Sequence, residues 1–254
     1  VVMVSHMSIP RAFWDSSNVI EARKKVQKSW EKEDFWAWYT LRRVSIYISL
    51  FLANKTEVTP NAITVLGSMF GVLAGVVFLV GEPWAMVSGV LLYQLAFLCD
   101  CIDGEVARLK NSTSKEGAWL DLGLRYSLFF AFIMAVTRIL GKLSMRMGLV
   151  VNAIMIINLL LSILTTTGAD SKLDISLAND VSNVRKKSKL LDGLICIFAT
   201  EPGFYLGILV LFLLECEVTW SLAYIWTFWH LLMFCAKSIF RTMMIVLRFR
   251  RHSA

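Results

Sequence analysis

Three aspartates stand at the edges of apolar stretches that are otherwise poor in charge. Asp100 and Asp103 follow one long apolar run, and Asp121 lies near the start of the next. Residues three apart share a face of a helix, and a helical hairpin through residues 109–116 would bring Asp121 back against that face. Three converging carboxylates repel one another unless a cation holds them, and oxygen ligands favour Mg²⁺ or Mn²⁺. The spacing therefore predicts a metal site at a helix end.

Small and basic residues accompany these acids. Gly104 and Gly117 have no side chain where a bulky ligand must approach the backbone. Arg108 offers a planar fork that suits a phosphate. The simpler interpretation, in which the charges only pair with one another at a membrane boundary, is less favoured because Arg108 alone cannot neutralise all the aspartates. The residue types predict a site for a metal and a phosphate-bearing ligand.

The full pattern is more specific than its parts. The run Asp100-x-x-Asp103-Gly104-x-x-Ala107-Arg108, followed at fixed spacing by Gly117 and Asp121, resembles the signature of the CDP-alcohol phosphotransferases. The segment 59–64 (TPNAIT) is also similar to a common feature of that family. The resemblance implies a membrane enzyme that transfers a phosphoalcohol from a CDP-alcohol to an acceptor hydroxyl and releases CMP.

The resemblance also implies roles for the matching residues. It makes Asp100, Asp103 and Asp121 the ligands of a Mg²⁺ or Mn²⁺ cofactor. The cytidine diphosphate site would be lined by Gly104, Ala107, Arg108 and Gly117, with Asn61 and Thr64 nearby. The implied partners are a CDP-alcohol donor, a lipid or polyol acceptor, the lipid bilayer and a second copy of the chain in a homodimer. The implied process is phospholipid or phosphopolyol biosynthesis.

One position departs from the family pattern. The family has a fourth aspartate four residues after the third, described as the general base and a ligand of a second metal, and here that place is taken by Arg125. Arginine stays protonated and presents no acceptor. Asp121 and Arg125, one helical turn apart, are thus the candidate catalytic positions. Three interpretations stay open: turnover with one metal and another base, a degenerate homologue that binds without turnover, and an engineered residue.

The whole chain is more apolar than a soluble domain. Of its 254 residues, 57% are hydrophobic and 18% are charged, whereas soluble domains average about 45–50% and about 25%. The mean hydropathy is +0.62. These values exclude a soluble globular enzyme, a disordered regulator and a disulfide-rich secreted module. The scattered cysteines are expected to be reduced structural thiols.

Apolar runs of about 20 residues predict transmembrane helices. We predict an all-α bundle of six spans, at residues 58–81, 83–99, 118–137, 147–169, 193–214 and 218–236. Residues 51–247 would form this transmembrane domain. Residues 1–50, which mix basic and aromatic side chains, would form an amphipathic helix on the membrane surface. Residues 248–254 would be a basic cytoplasmic tail.

The basic excess orients this bundle. The net charge is +7, and basic residues gather in the N-terminal segment, at 185–189 and in the tail. These segments fall on one side, which the positive-inside rule makes cytoplasmic. We therefore expect cytoplasmic termini and a cytoplasmic active site in a plasma or inner membrane, and no nucleic-acid binding. Arg138, Lys142 and Arg146 break the rule, so either they snorkel or the third helix boundary is wrong.

Weaker signals concern the acceptor. A phosphorylated acceptor would need a basic pocket, and the candidates are Lys187, Lys189, Lys237 and Arg241. A solvated charge cluster or snorkelling would explain the same residues. A different class of protein, an ion-coupled transporter, would also use intramembrane carboxylates, but the acids cluster at a helix end and no inverted repeat is visible. An intramembrane metalloprotease would need a histidine motif that the sequence lacks.

Overall fold

The computed structural model describes residues 9–30, 33–146, 148–150, 153, 156, 189–214 and 218–252. This part of the chain is helical and contains no strand. Its helices are α1 (Ser17–Val26), α2 (Arg42–Lys55), α3 (Pro60–Val80), α4 (Pro83–Leu109), α5 (Lys115–Leu143), α6 (Lys189–Ala199), α7 (Glu201–Leu214) and α8 (Thr219–His252), with a π-helical turn at Ala37–Leu41. The predicted all-α class is confirmed for these residues.

Three of the described helices are long and apolar enough to cross a membrane. They are Pro60–Val80, Pro83–Leu109 and Glu116–Lys142, and they correspond to the first three predicted spans. The second of them continues past the predicted end at residue 99, so the Asp100–Arg108 motif is helical throughout. The motif therefore presents its side chains at fixed angular positions.

The other three predicted spans do not correspond to single candidate membrane-spanning helices in the described part of the chain. The predicted span 193–214 is not one straight helix, because α6 and α7 meet at a bend of 67°. Pro202 opens α7 at this bend, where its ring and missing N–H interrupt a continuous helix. The predicted span 218–236 lies within α8 except for its first residue, and α8 is not among the candidate spans of the described chain. Most of 147–169 lies outside the described residues, so the count of six stays a prediction.

Local sequence signals start and stop the helices that carry the motif. Thr59 caps α3 by accepting a hydrogen bond from the Ala62 N–H at 3.3 Å, and Pro60 occupies the first turn, where no N–H is needed. Gly81 ends α3 in the left-handed conformation with φ 75°. Ser114 caps α5 by accepting from the Gly117 N–H at 3.0 Å. The helices that carry the motif therefore begin and end at residues that the local sequence specifies.

Glycines let α3 lie between α4 and α5. A methyl group added at Gly67 would lie 2.8 Å from the Cβ of Cys99 on α4 and 2.7 Å from Leu124 on α5. At Gly71 it would collide with the Ser127 hydroxyl of α5. Backbones can approach this closely only where the side chains are small. The three helices thus form one tightly packed unit, which fixes the position of Asp103 on α4 relative to Asp121 on α5.

Aromatic side chains fill the core further along this unit. The Tyr93 ring of α4 packs at a tilt of 31° against the Tyr205 ring of α7, with centroids 3.8 Å apart. Phe132 of α5 meets Phe204 edge-on, with centroids 5.0 Å apart. All four side chains are buried. Helix α7, the second half of the bent pair, is therefore packed onto α4 and α5.

The N-terminal segment packs against α4. It contributes α1, the π-helical turn and α2, and the last of these continues past the predicted boundary at residue 50 to Lys55. Arg23 of α1 is fully buried and donates to the backbone oxygens of Arg42 and Arg43. A single amphipathic surface helix was expected here. The described segment instead contains two helices that contact the helix bearing the motif.

Two of the basic residues that break the positive-inside rule have protein partners. Arg138 donates from Nη2 to the Val80 oxygen at 3.3 Å, so it caps the end of α3. Lys142 places Nζ 3.5 Å from the ring centroid of Trp220 on α8. A cation at a helix C-terminus or over an aromatic face is stabilised locally. These contacts account for the positive charges of Arg138 and Lys142 at this end of the helices. The two residues therefore do not require this end to lie on the cytoplasmic side.

Candidate functional site

The motif aspartates lie where α4 ends and α5 begins. The α4 helix closes with hydrogen bonds from Lys110 N to Val106 O and from Ser112 N to Ala107 O, both 2.9 Å. Asn111 follows in the left-handed region with φ 51°, which Asn tolerates better than most residues. Ser114 then starts α5. The predicted hairpin is thus present, and it brings Asp121 back toward Asp100 and Asp103.

Asp103 is the most enclosed of the three acids, with 7% of its surface exposed. Its Oδ2 accepts a hydrogen bond of 2.7 Å from the Thr64 hydroxyl. Thr64 is held in turn within the first turns of α3, where its hydroxyl also approaches the Pro60 oxygen at 3.1 Å. The segment that opens α3 therefore orients one carboxylate of the motif.

Asp100 carries an unsatisfied buried oxygen. Its Oδ1 atom is buried and has no hydrogen-bond partner among the described residues. Asp103 and Asp121 both lie close enough to act on its charge. A buried carboxylate oxygen without a donor is costly, and neighbouring negative charges add to the cost. A cation at this position would relieve both.

Asp121 has a protein partner. Its Oδ2 forms an ion pair of 2.9 Å with Nη2 of Arg125 one turn along α5. Both side chains are partly open to the surroundings, with 36% of Asp121 and 64% of Arg125 exposed. The ion pair anticipated from the sequence is present, so Arg125 occupies one of the oxygens that the pattern assigns to a metal.

Two glycines make room for the polar side chains around the acids. A methyl group at Gly117 would lie 3.2 Å from Oδ1 of Asn61, so Asn61 sits directly over that glycine. A methyl group at Gly104 would lie 3.3 Å from both terminal nitrogens of Arg108. The structure thus brings Asn61 to Gly117 and Arg108 to Gly104. Ala107 is on α4 and is half-buried.

Glu105 was not assigned a role from the sequence, yet it is the most completely bound acid of the motif. It is fully buried. Its Oε1 accepts from Gln27 Nε2 at 2.8 Å, Arg42 Nη1 at 2.9 Å and Ser45 Oγ at 2.7 Å, and its Oε2 accepts from Ser49 Oγ at 2.7 Å. The positions 42, 45 and 49 share one face of α2. That polar stripe along α2 was the signal available in the sequence.

The structure says little about the residues predicted to bind the acceptor. Lys187 lies outside the described residues. Lys189 begins α6, and Lys237 and Arg241 lie in α8, but their side chains lie outside the described part of the chain. His230 of α8 is buried, with Nδ1 3.0 Å from the Trp226 oxygen and Nε2 3.2 Å from the Ile197 oxygen.

The acids fit a hard divalent cation in kind, though they are not gathered into a complete cage. Among the residues that the structure describes, no group of three His, Cys, Asp or Glu side chains stands in metal-holding geometry. The unsatisfied Oδ1 of Asp100 and the clustering of Asp103 and Asp121 supply the oxygen donors that Mg²⁺ and Mn²⁺ prefer. The ion pair of Asp121 with Arg125 is the feature that works against a third ligand.

Comparison with known proteins decides the family. The profile of the CDP-alcohol phosphatidyltransferase family matches residues 57–220, which include every motif residue discussed above. The chain belongs to this family. The match runs from the α2–α3 connection to the start of α8, so the resemblance inferred from the motif extends over most of the chain.

Three curated relatives are similar to part of this family member. One from Aquifex aeolicus is 39% identical over 95 residues, which is 37% of this chain and 21% of the relative. One from Thermococcus kodakarensis is 41% identical over 80 residues, 32% of this chain and 17% of the relative. One from Archaeoglobus fulgidus is 31% identical over 101 residues, 40% of this chain and 19% of the relative. Each is named a bifunctional IPC transferase and DIPP synthase. The chain thus matches about a fifth of their length.

Proposed function

We propose that this chain is a membrane CDP-alcohol phosphotransferase, which transfers a phosphoalcohol group from a CDP-alcohol to an acceptor hydroxyl and releases CMP. The observation that carries the proposal is the unsatisfied, buried Oδ1 of Asp100 beside Asp103 and Asp121. Such an arrangement is costly unless a cationic ligand joins it. The family match and the names of the relatives support the same reaction class.

Each part of the site has a task in this reaction. Asp100, Asp103 and Asp121 would hold Mg²⁺ or Mn²⁺, which supplies charge neutralisation on the pyrophosphate when bound. Arg108 would bind a phosphate through its terminal nitrogens over Gly104. Asn61 and Gly117 would contact the nucleotide, because Gly117 leaves its backbone accessible next to an amide that can donate and accept. Thr64 orients Asp103.

The transfer itself breaks one bond and forms another. The acceptor oxygen attacks the β-phosphorus in line, and the bond from that phosphorus to the bridging oxygen breaks, so that CMP leaves with the electron pair. The proton of the acceptor hydroxyl goes to a carboxylate, and Asp121, with 36% of its side chain exposed, is open to receive it. Arg125 cannot accept it.

A second candidate is a degenerate homologue that binds a CDP-alcohol without turning it over. The ion pair between Asp121 and Arg125 favours it, because that contact competes with a metal and with a proton for the same carboxylate. Both candidates require donor binding, so they differ only in turnover.

The remaining expectations stay with this proposal. We propose six spans, an N-terminal juxtamembrane segment ending with α2, and a basic tail. The termini and the site would face the cytoplasm of a plasma or inner membrane, and two chains would form a homodimer. The motif ends of α4 and α5 lie on the same side as the basic N-terminal segment, which supports this orientation. The acceptor would be a lipid or a polyol in phospholipid or phosphopolyol synthesis.

The test is detection of CMP by mass spectrometry after purified protein is incubated with Mg²⁺ or Mn²⁺, a panel of CDP-alcohols and candidate acceptors. CMP that forms only when donor and acceptor are both present supports the transferase. Binding of CDP without CMP release by the wild type, with release restored by Arg125→Asp, supports the degenerate homologue. Absence of CDP binding in the presence of either metal contradicts both.

A further inference from the structure

Glu105 lies inside the motif but on the other side of α4 from the aspartates. At about 100° per residue, Glu105 is roughly 160° around the helix from Asp103. The same two turns of α4 therefore present the aspartates that we propose as metal ligands to α3 and α5, and present Glu105 to α2 and the end of α1. The carboxylate of Glu105 is fully buried among four donors, all supplied by residues 27–49.

The donors of Glu105 are themselves held by the N-terminal segment. Arg42 donates from the same Nη1 to the Cys101 oxygen at 2.9 Å and from Nε to Glu33 at 2.7 Å. Gln27 donates to the Arg42 oxygen at 2.8 Å. Arg23, fully buried, joins α1 to the start of α2 through the same oxygen. Glu105 is thus where a continuous polar network meets the motif helix.

The second contact between α1 and the motif falls on Arg108. Its Nε donates to the Val26 oxygen at the end of α1, at 2.5 Å. With Nε committed, the two terminal nitrogens lie over Gly104 and carry the remaining donors. The direction of this fork therefore depends on where Val26 stands relative to α4. Gln27, the next residue, is the one that binds Glu105.

We infer that Glu105 is a positioning residue, whose buried carboxylate fixes α1 against α4 so that Val26 aims the Arg108 guanidinium toward the pyrophosphate of the donor. The inference rests on the proposed function, because it assumes a donor with a pyrophosphate. It extends that function by making the N-terminal segment part of the donor site. The network acts on the ligand through Arg108, and Glu105 itself touches no substrate.

The test weakens the network without leaving a charge buried and unpaired. The double variant Ser45→Ala/Ser49→Ala removes two donors to Glu105 and keeps Arg42 and Gln27. Thr40→Val is the matched control, since the Thr40 hydroxyl bonds only to the Trp36 oxygen of its own helical turn among the described contacts. Binding of CDP with Mg²⁺ to the full chain in detergent is measured by titration calorimetry, well below the unfolding midpoint of each protein.

We expect the double serine variant to bind CDP about tenfold more weakly, as lost hydrogen bonds to a charged group imply. Thr40→Val should bind as the wild type does. In an Arg108→Lys background the serine substitutions should weaken binding by less than about twofold, because they act through Arg108. Unchanged affinity in the double variant, or the full loss in the Arg108→Lys background, overturns the inference. If Glu105 had a purely structural role, the serine substitutions would lower the unfolding midpoint. They would then weaken CDP binding by the same factor with Arg108 and with Lys at position 108.

Hydrogen exchange separates failure of this inference from failure of the proposed function. If the wild type binds no CDP, the proposed function is wrong. Without ligand, the amides of residues 103–109 should then still exchange faster in the double serine variant than in the wild type, while those of Pro60–Val80 stay unchanged. Equal exchange at residues 103–109 overturns the positioning role regardless of what the protein binds.

Discussion

Nη2 of Arg125 lies 2.9 Å from Oδ2 of Asp121, one turn apart on α5. Arg125 stands where the family pattern has its fourth aspartate, and its positively charged side chain pairs with the third aspartate, Asp121. This relationship bears on turnover more than on folding. An ion pair of this exposure contributes about 0–1 kcal/mol to stability. What it changes is access to the Asp121 carboxylate.

Arg125→Asp should raise CMP release at least about tenfold, since it frees Asp121 and adds an acceptor that can serve as a base. The unfolding free energy should change by less than about 1 kcal/mol. Arg125→Gln is the matched control, because it frees Asp121 without adding a carboxylate. Equal rates for wild type and Arg125→Asp in the CMP assay would show that this position does not limit turnover.

Thr64→Val should weaken binding of CDP with Mg²⁺ and lower stability by about 1–3 kcal/mol, because it leaves a buried oxygen of Asp103 without its donor. Ser68→Ala provides the comparison. The Ser68 hydroxyl lies one turn further along α3 and bonds to the Thr64 oxygen of its own helix at 3.0 Å. Calorimetry and thermal unfolding should therefore separate the two variants. A loss of similar size in both would remove the special role of Thr64.

Gly117→Ala should reduce CDP affinity by about tenfold without lowering the unfolding midpoint. The added methyl would lie 3.2 Å from Asn61 Oδ1, so Asn61 must shift, whereas alanine is favoured over glycine in a helix by about 1 kcal/mol. Gly123→Ala on the same helix has nothing within 4 Å of the added methyl. It should raise the midpoint and leave affinity unchanged. Affinity unaffected by Gly117→Ala would place the nucleotide elsewhere.

Gly71→Ala should destabilise the α3–α5 contact, because its methyl collides with the Ser127 hydroxyl. Gly141→Ala, also helical but with nothing within 4 Å, serves as control. The expected cost for Gly71→Ala is about 1–3 kcal/mol, measured by thermal unfolding in detergent. The double variant Gly71→Ala/Ser127→Ala should recover part of it, because the obstructing hydroxyl is then gone. No recovery would contradict this packing.

The N-terminal network makes a pH-dependent contribution. Burial opposes ionisation of Asp15, but hydrogen bonds from Arg23 and Tyr47 outweigh it and lower the Asp15 pKa below its ordinary value of 3.8. An acid with a lowered folded-state pKa stabilises the protein above its unfolded pKa, and this contribution is lost as the pH falls through the folded value. Asp15→Asn should therefore lower the unfolding midpoint at about pH 6–7, where the Asp15 carboxylate is ionised in both the folded and the unfolded chain.

The difference in unfolding midpoint between the wild type and Asp15→Asn should disappear at low pH. The gap between wild type and Asp15→Asn should narrow below about pH 4, since the wild-type carboxyl is then neutral in the unfolded chain and becomes neutral in the fold. Glu21→Gln on the exposed side of α1 is the control and should show no such gap. A gap that is constant from pH 3 to pH 7 would mean that the Asp15 charge does not matter.

Part of the site was predictable because it follows from spacing along one helix or hairpin. Asp100 and Asp103 share a face at any register of α4, and the short connection to α5 returns Asp121 to them. The Asp121–Arg125 pair needed only the i, i+4 relation. The three helices long and apolar enough to cross a membrane also followed from hydropathy. The bend between α6 and α7 did not, because apolar composition continues across it and hides Pro202.

The sequence by itself determined what kinds of groups the motif carries, since residue type and helical spacing are local properties. It determined the family for the same reason. Only the tertiary structure decided which acidic side chains of the motif have all their oxygens bound by protein donors and which do not. Asp100 keeps an unsatisfied oxygen, whereas Glu105, five residues later, is bound by four donors from residues 27–49. That difference arises from which helix packs against each face of α4, and such long-range contacts are not written in local spacing.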